Sequence, residues 1–290
     1  MNSKTLLYIV KRLLLAVLTV WVVITVTFFA TRAVPGGPFA SEKAITPAAK
    51  AALEAKYGLD KPVLEQYTTY LKDIVLHFDF GPSLKQRGRQ VIDVITDGLK
   101  TSAKLGVIAA FASLICGVVL GAIAALRRNK VIDRVIMVIT TAFVSMPSFI
   151  MGSLMLVAFS IKLAILPANG STTEGLILPV ITLALYPTAY ITRLTRSSML
   201  DVLGQDYIRT AKAKGVPGKR IIFGHALKNS LIPVITYFGP MLAYIVTGSL
   251  VVEQIFAVPG IGRAFVNSII NRDYPLIMGI TVFFAILLVI

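Results

Sequence analysis

The chain has 290 residues, 56% hydrophobic and 15% charged, with one cysteine and a formal net charge of +15. With a mean hydropathy of +0.79 this is not a soluble globular chain. The lone Cys116 excludes an internal disulfide and a cysteine zinc site. The positive charge falls in short clusters between long apolar runs, which argues against a nucleic-acid partner.

Six apolar runs approach the ~20 residues needed to cross a bilayer. They cover about 13–31, 103–126, 135–166, 176–194, 231–252 and 275–290, the last running to the end of the sequence. The first follows Lys4, Lys11 and Arg12. It is too long for a signal-peptide core and lacks a small-residue cleavage site, so it reads as a retained span over 1–33.

Residues 34–100 are too long and too patterned for a simple loop. Thr46 and Pro47 predict a capped helix over 48–57 that stops at Gly58. A second helix is predicted over 62–76, with Val63, Tyr67, Tyr70 and Ile74 on one face, then a turn at 79–83. A short helix at 91–99 leads into the second span. The expectation is a small helical external subdomain.

Cys116, inside the second span, reads as a small buried hydrophobe. The third run is long enough to contain a break at Pro147, and Tyr186-Pro187 is expected to break the fourth. Two readings of these prolines stand side by side. They shape helix packing, or they open a translocation path along Ser145, Pro147, Ser148, Tyr186, Pro187, Thr188 and Tyr190.

Residues 205–233 form a basic, water-facing island. Tyr207, Ala211 and Gly215 recur every fourth residue with Ile208 beside them, which predicts a short amphipathic helix. Gly215 and Pro217 end it, and helix resumes near Lys219. Such a helix between two spans offers a surface to a cytosolic partner; the plain alternative is an ordinary basic loop. Beyond the fifth span, 253–275 predicts a turn, a helix bearing Phe265, Ile269 and Ile270, and another turn.

Lysine and arginine fix the expected orientation. The N-terminus, the 127–134 connection and the island with its flanks carry +3, +3 and +6, twelve of the fifteen net charges. The intervening segments nearly cancel. This predicts six spans with both ends inside.

The chemistry that is missing narrows the function. There is no phosphate-binding loop, paired carboxylates or nucleophile elbow. His77 and His225 fall on opposite sides, so no metal site is expected. The spans contain almost no ionisable residues, whereas proton- and sodium-coupled transporters usually need them. A non-catalytic chain powered from outside itself is expected. A self-sufficient secondary transporter or channel is the alternative.

The island resembles the coupling loop of binding-protein-dependent ABC importer permeases through Arg209-Thr210-Ala211, Gly215, His225-Ala226-Leu227 and Pro233. Arg209 stands where that family has glutamate, and Lys228 where it usually has proline. VPGGPF at 34–39, YGLD at 57–60 and DFGPS at 79–83 resemble the N-terminal region of its oligopeptide/dipeptide B-subunit branch. The resemblance runs from about Pro35 to Pro275.

It implies an all-α membrane protein of the type I ABC importer (MetI-like) permease fold, multi-pass in the bacterial plasma (inner) membrane, with its core over 101–290. The coupling helix, about 205–217, would meet an ATPase through Asp206, Tyr207, Arg209, Thr210, Ala211, Lys212, Lys214, Gly215 and Pro217. Phe256, Pro259, Gly260 and Arg263 would contact a binding protein or a gate. The implied partners are a homologous second permease, two ATPases that bind ATP and Mg, an extracytoplasmic peptide-binding protein and membrane lipid. Oligopeptides are the expected cargo; dipeptides, nickel-chelates and antimicrobial peptides are the alternatives within the family.

Overall fold

The computed structural model describes residues 3–35, 37–39 and 47–289. Thirteen α-helices fall in this range: α1 (Ser3–Ala33), α2 (Pro47–Lys56), α3 (Val63–His77), α4 (Val91–Leu126), α5 (Val131–Ser145), α6 (Ser148–Met155), α7 (Ile177–Leu203), α8 (Asp206–Ala213), α9 (Gly218–Arg220), α10 (Lys228–Val246), α11 (Leu250–Ile255), α12 (Ile261–Ile270) and α13 (Tyr274–Val289). Two π-helical stretches, Leu156–Lys162 and Ile221–Leu227, extend α6 and precede α10. Among the described residues the only β pairing is an isolated Pro82–Gln90 bridge.

Four helical runs are long and apolar enough to cross a membrane: Lys4–Ala33, Val91–Leu126, Glu174–Leu203 and Gly218–Ile255. The third apolar run is a pair of helices, Val131–Ser145 and Ser148–Lys162, bent by 106°. Pro147 causes the break. It biases the residue before it away from helix, and Met146 is extended at φ −87°, ψ 127°. The sixth run is the 16-residue α13. The expected break at Tyr186-Pro187 is not there, because α7 continues through Pro187. Thr182, Ala184, Ala189 and Ile191 are buried around that proline, and neighbouring packing holds the helix where a backbone hydrogen bond is lost. The separate helix at 91–99 is simply the first part of the 36-residue α4.

The chain divides into two compact units, one of residues 1–98 with 264–290 and one of 99–263. In the first unit α1 packs on α13, and α3 lies along α1. Phe28 is buried among Phe29, Tyr67 and Tyr70, with the Arg32 guanidinium 3.4 Å over its ring. Arg32 donates to Gln66 Oε1 at 3.1 and 3.0 Å. The inner face of α3 is therefore Gln66, Tyr67, Tyr70 and Ile74. Val63, expected on it, is exposed because α3 begins there, ahead of the contact. Burial pushes the Tyr70 phenol above its ordinary pKa. Asp273, also buried, accepts from Ser83 Oγ, Leu84 N–H and Lys85 N–H. The Thr46 cap, Gly36 and Ile290 lie outside the described residues.

In the second unit α4 presents small residues every fourth position to α7. A Cβ on Gly117 would sit 2.7 Å from Ile191, and one on Gly121 would sit 2.6 Å from Thr195 Cβ and the Thr192 carbonyl. Two such glycines four apart let helix backbones approach closely. Cys116 points the other way and is exposed, not buried. In a membrane protein an apolar side chain facing outward is satisfied by lipid, so burial cannot be read from hydrophobicity.

Candidate functional site

Two features of the second unit stand out: the α8 island and a cavity in the helical body. At the island, α7 ends at Gly204 and the chain re-enters helix at Asp206. Ile208 is fully buried and anchors α8, while Asn229 Nδ2 donates to the Tyr207 hydroxyl at 2.9 Å. Arg209, Thr210, Lys212 and Lys214 are exposed. Arg209 lies 3.6 Å from Asp206 in a fully surface pair, worth at most about 1 kcal/mol.

The structure redraws the apolar stripe. Ile208 is its buried centre, Ala211 and Val216 are half-buried, and Tyr207 and Gly215 are exposed. The four-residue spacing fails because α8 ends at Ala213, so Gly215 is off the helical projection. Lys214, Gly215 and Pro217 form the turn after the helix. Gly215 adopts φ +73° with nothing within 4 Å of a Cβ placed on it, and its N–H donates to the Lys212 carbonyl. This left-handed position is what glycine supplies without strain. Helix then resumes at Gly218 and widens into the π-helical stretch carrying His225.

The cavity has a volume of about 870 Å³. Ser145, Pro147, Ser148, Tyr186 and Pro187 all line it, so the bend at Met146-Pro147 and the middle of α7 face one space. Tyr190 lies one turn along α7 and stacks on Tyr237 of the lining, with ring centroids 4.3 Å apart. Thr188 is not on the lining. Tyr237, Tyr244, Met241 and Pro240 of α10, which sequence reading passed over as ordinary span residues, form the opposite wall. Among the described lining residues none is charged. The wall offers hydroxyls, thioethers and aromatic rings.

Two acidic side chains also escaped sequence reading. Asp133, counted there only as a loop charge, is buried and receives Arg196 Nε at 2.6 Å and Nη2 at 2.8 Å. This bidentate pair ties the start of α5 to α7 ten residues before α8. Glu253, which the sequence reading counted only among the cancelling charges beyond the fifth span, is fully buried beside the cavity wall. The signal was the unusual glycine density of 248–262. Phe256 and Gly260 are turned into the interior, where an outside protein does not reach them; Phe256 packs with Leu105, Leu178, Val252 and Val258. Pro259 is exposed and Arg263 half-buried.

The chain matches two family profiles. Residues 117–290 match "Binding-protein-dependent transport system inner membrane component", and residues 5–106 match the N-terminal region of the same kind of membrane component. Among curated relatives, it is 47% identical over 284 residues to the dipeptide transport system permease protein DppB of Bacillus subtilis, covering 98% of this chain and 92% of the relative. It is 44% identical over 278 residues to the oligopeptide transport system permease protein OppB of Salmonella typhimurium, covering 95% and 90%. It is 39% identical over 284 residues to the dipeptide permease DppB of Lactococcus lactis, covering 98% and 93%. The chain belongs to the binding-protein-dependent transport system inner membrane components, multi-pass helical proteins of the MetI-like permease fold.

Proposed function

We propose that this chain is the transmembrane permease subunit of an ATP-driven ABC importer that passes peptides, delivered by an extracytoplasmic binding protein, into a bacterial cell by alternating access. The observation that carries this is the near-full-length identity to peptide permeases of both dipeptide and oligopeptide systems. In this account the chain is not itself catalytic. It pairs with a homologous second permease and two ATPase subunits, which bind ATP and Mg. The segment 34–100 is an external subdomain after the first span, and 101–290 is the permease core.

The geometry supports the division of labour. The exposed face of α8 and the open Gly215 turn are free to seat against an ATPase subunit. The Asp133–Arg196 pair brings two of the basic clusters to one side, in keeping with basic clusters on alternate loops. An uncharged cavity lined by tyrosine, serine and methionine suits a cargo whose side chains vary. At about 870 Å³ it lies within the usual range for ligand pockets, about 300–1,000 Å³.

The test is ATPase association and labelled-peptide uptake by the reconstituted complex, comparing wild type with Gly215→Trp. Loss of association or of uptake in a complex whose permeases still pair supports α8 as the coupling element. Unchanged uptake removes it. Competition of labelled pentapeptide uptake by unlabelled dipeptides then separates the two cargo classes.

A further inference from the structure

Glu253 is fully buried and every group that reaches its carboxylate is a donor. Ser102 Oγ donates to Oε1 at 2.7 Å, Ser249 N–H to the same oxygen at 3.1 Å, and Arg263 N–H to Oε2 at 3.1 Å. Ser102 Oγ in turn accepts from Ile261 N–H at 2.9 Å. Among the described residues no cation pairs with it. The Arg263 guanidinium is aimed elsewhere and donates to the Ala257 carbonyl at 2.7 Å. A buried carboxylate satisfied only by oriented donors is held by fixed dipoles.

The backbone around it is built to that fit. Gly248, at φ +97°, would put a Cβ 2.9 Å from Oε1, and Gly262 would put one 3.0 Å from Oε2. A Cβ on Gly260 would collide with Oε2. Three glycines therefore close on one carboxylate, which joins the segment 248–263 to Ser102 of α4. Gly248, Ser249 and Val252 of that segment form part of the cavity wall.

We infer that Glu253 is a positioning residue for transport: through Ser102 it locks the 248–263 segment to α4, so that this part of the cavity wall moves with α4 as one piece. The assignment rests on the permease function proposed above. Without the lock, motion delivered at α8 is absorbed by deformation of the wall, and ATP is hydrolysed without matching uptake.

The experiment uses the complete importer in proteoliposomes, with its binding protein and a labelled pentapeptide. Uptake per ATP hydrolysed is measured at equal assembled complex for wild type, Glu253→Gln, Ser102→Ala and the double variant. Losing a buried charge-assisted bond should lower uptake per ATP about tenfold in Glu253→Gln and about threefold in Ser102→Ala, with the double variant no worse than Glu253→Gln. A purely structural role would instead lower assembly, hydrolysis and uptake in parallel, leaving the ratio at the wild-type value, and that result overturns the assignment. If Glu253→Gln does not assemble, Ser102→Ala decides alone, and an unchanged ratio in it overturns the assignment. A wild-type complex that hydrolyses ATP but imports no peptide overturns the permease function itself, on which the assignment depends.

Discussion

Gly215 ends α8 in the left-handed region, at φ +73°, with open space where a side chain would stand. Those two facts separate the effects of substitution there. Alanine and tryptophan both bear the strain of a left-handed L-residue, about 1–2 kcal/mol. Only tryptophan also fills the space that a docking subunit would occupy. Gly215→Ala should therefore lower thermal stability slightly and keep most ATP-dependent uptake, while Gly215→Trp should abolish ATPase association; co-purification from detergent reads the difference. Equal loss in both would assign the effect to strain. Asp133 makes a second residue-scale case. Asp133→Asn removes one side of a bidentate pair to Arg196, and hydrogen bonds to charged groups are worth about 1.5–3 kcal/mol. A lowered melting temperature of the purified chain is expected, and no change would mean that the pair is idle.

At the scale of elements, α4 and α7 are held together by what is missing from α4. Gly117 and Gly121 leave no room for a Cβ against Ile191, Thr192 and Thr195. Gly121→Leu must push the helices apart, and overpacking of this kind costs about 1–3 kcal/mol; Gly239→Leu on α10, where a Cβ meets nothing within 4 Å, is the control. Thermal melts in detergent should fall for the first and stay near wild type for the second. The elements themselves were largely legible in the sequence. Apolar run length located four helices of membrane-crossing length and the bent pair of the third run, Pro147 located the bend, and the Gly215-Pro217 pair located the end of α8. Pro187 misled, since the effect of a proline inside a helix depends on what packs around it. Cys116 misled for a related reason, because hydrophobicity does not say whether a side chain faces protein or lipid. The cavity was half legible. Serines, prolines and Tyr186 near the breaks marked one wall, whereas Tyr237 and Tyr244 sit in an apolar run that gives no cue to the face they line. Glu253 and Asp133 could not be paired with Ser102 and Arg196 from the sequence, since those residues lie 151 and 63 positions away.

At the scale of the whole molecule, the basic clusters set the expected topology. Single cysteines at Asn129 and Lys214, introduced after Cys116→Ala, should react with a membrane-impermeant thiol reagent only from the cytoplasmic side, and one at Asn169 only from outside. Labelling of Asn129 and Lys214 positions from opposite sides would contradict the alternation of charge on which the topology rests. In the importer proposed above, transport is driven by subunits that this chain does not contain. Its cavity is uncharged among the described lining residues, and the exposed basic residues of α8 follow α7 directly. The most direct measurement is uptake of a labelled pentapeptide into proteoliposomes holding either this chain alone or the full set of two permeases, two ATPases and the binding protein, with and without ATP. Uptake should require the full set and ATP, and should vanish with a non-hydrolysable analogue. Accumulation by the chain alone, driven by an ion gradient and indifferent to ATP, would contradict the account.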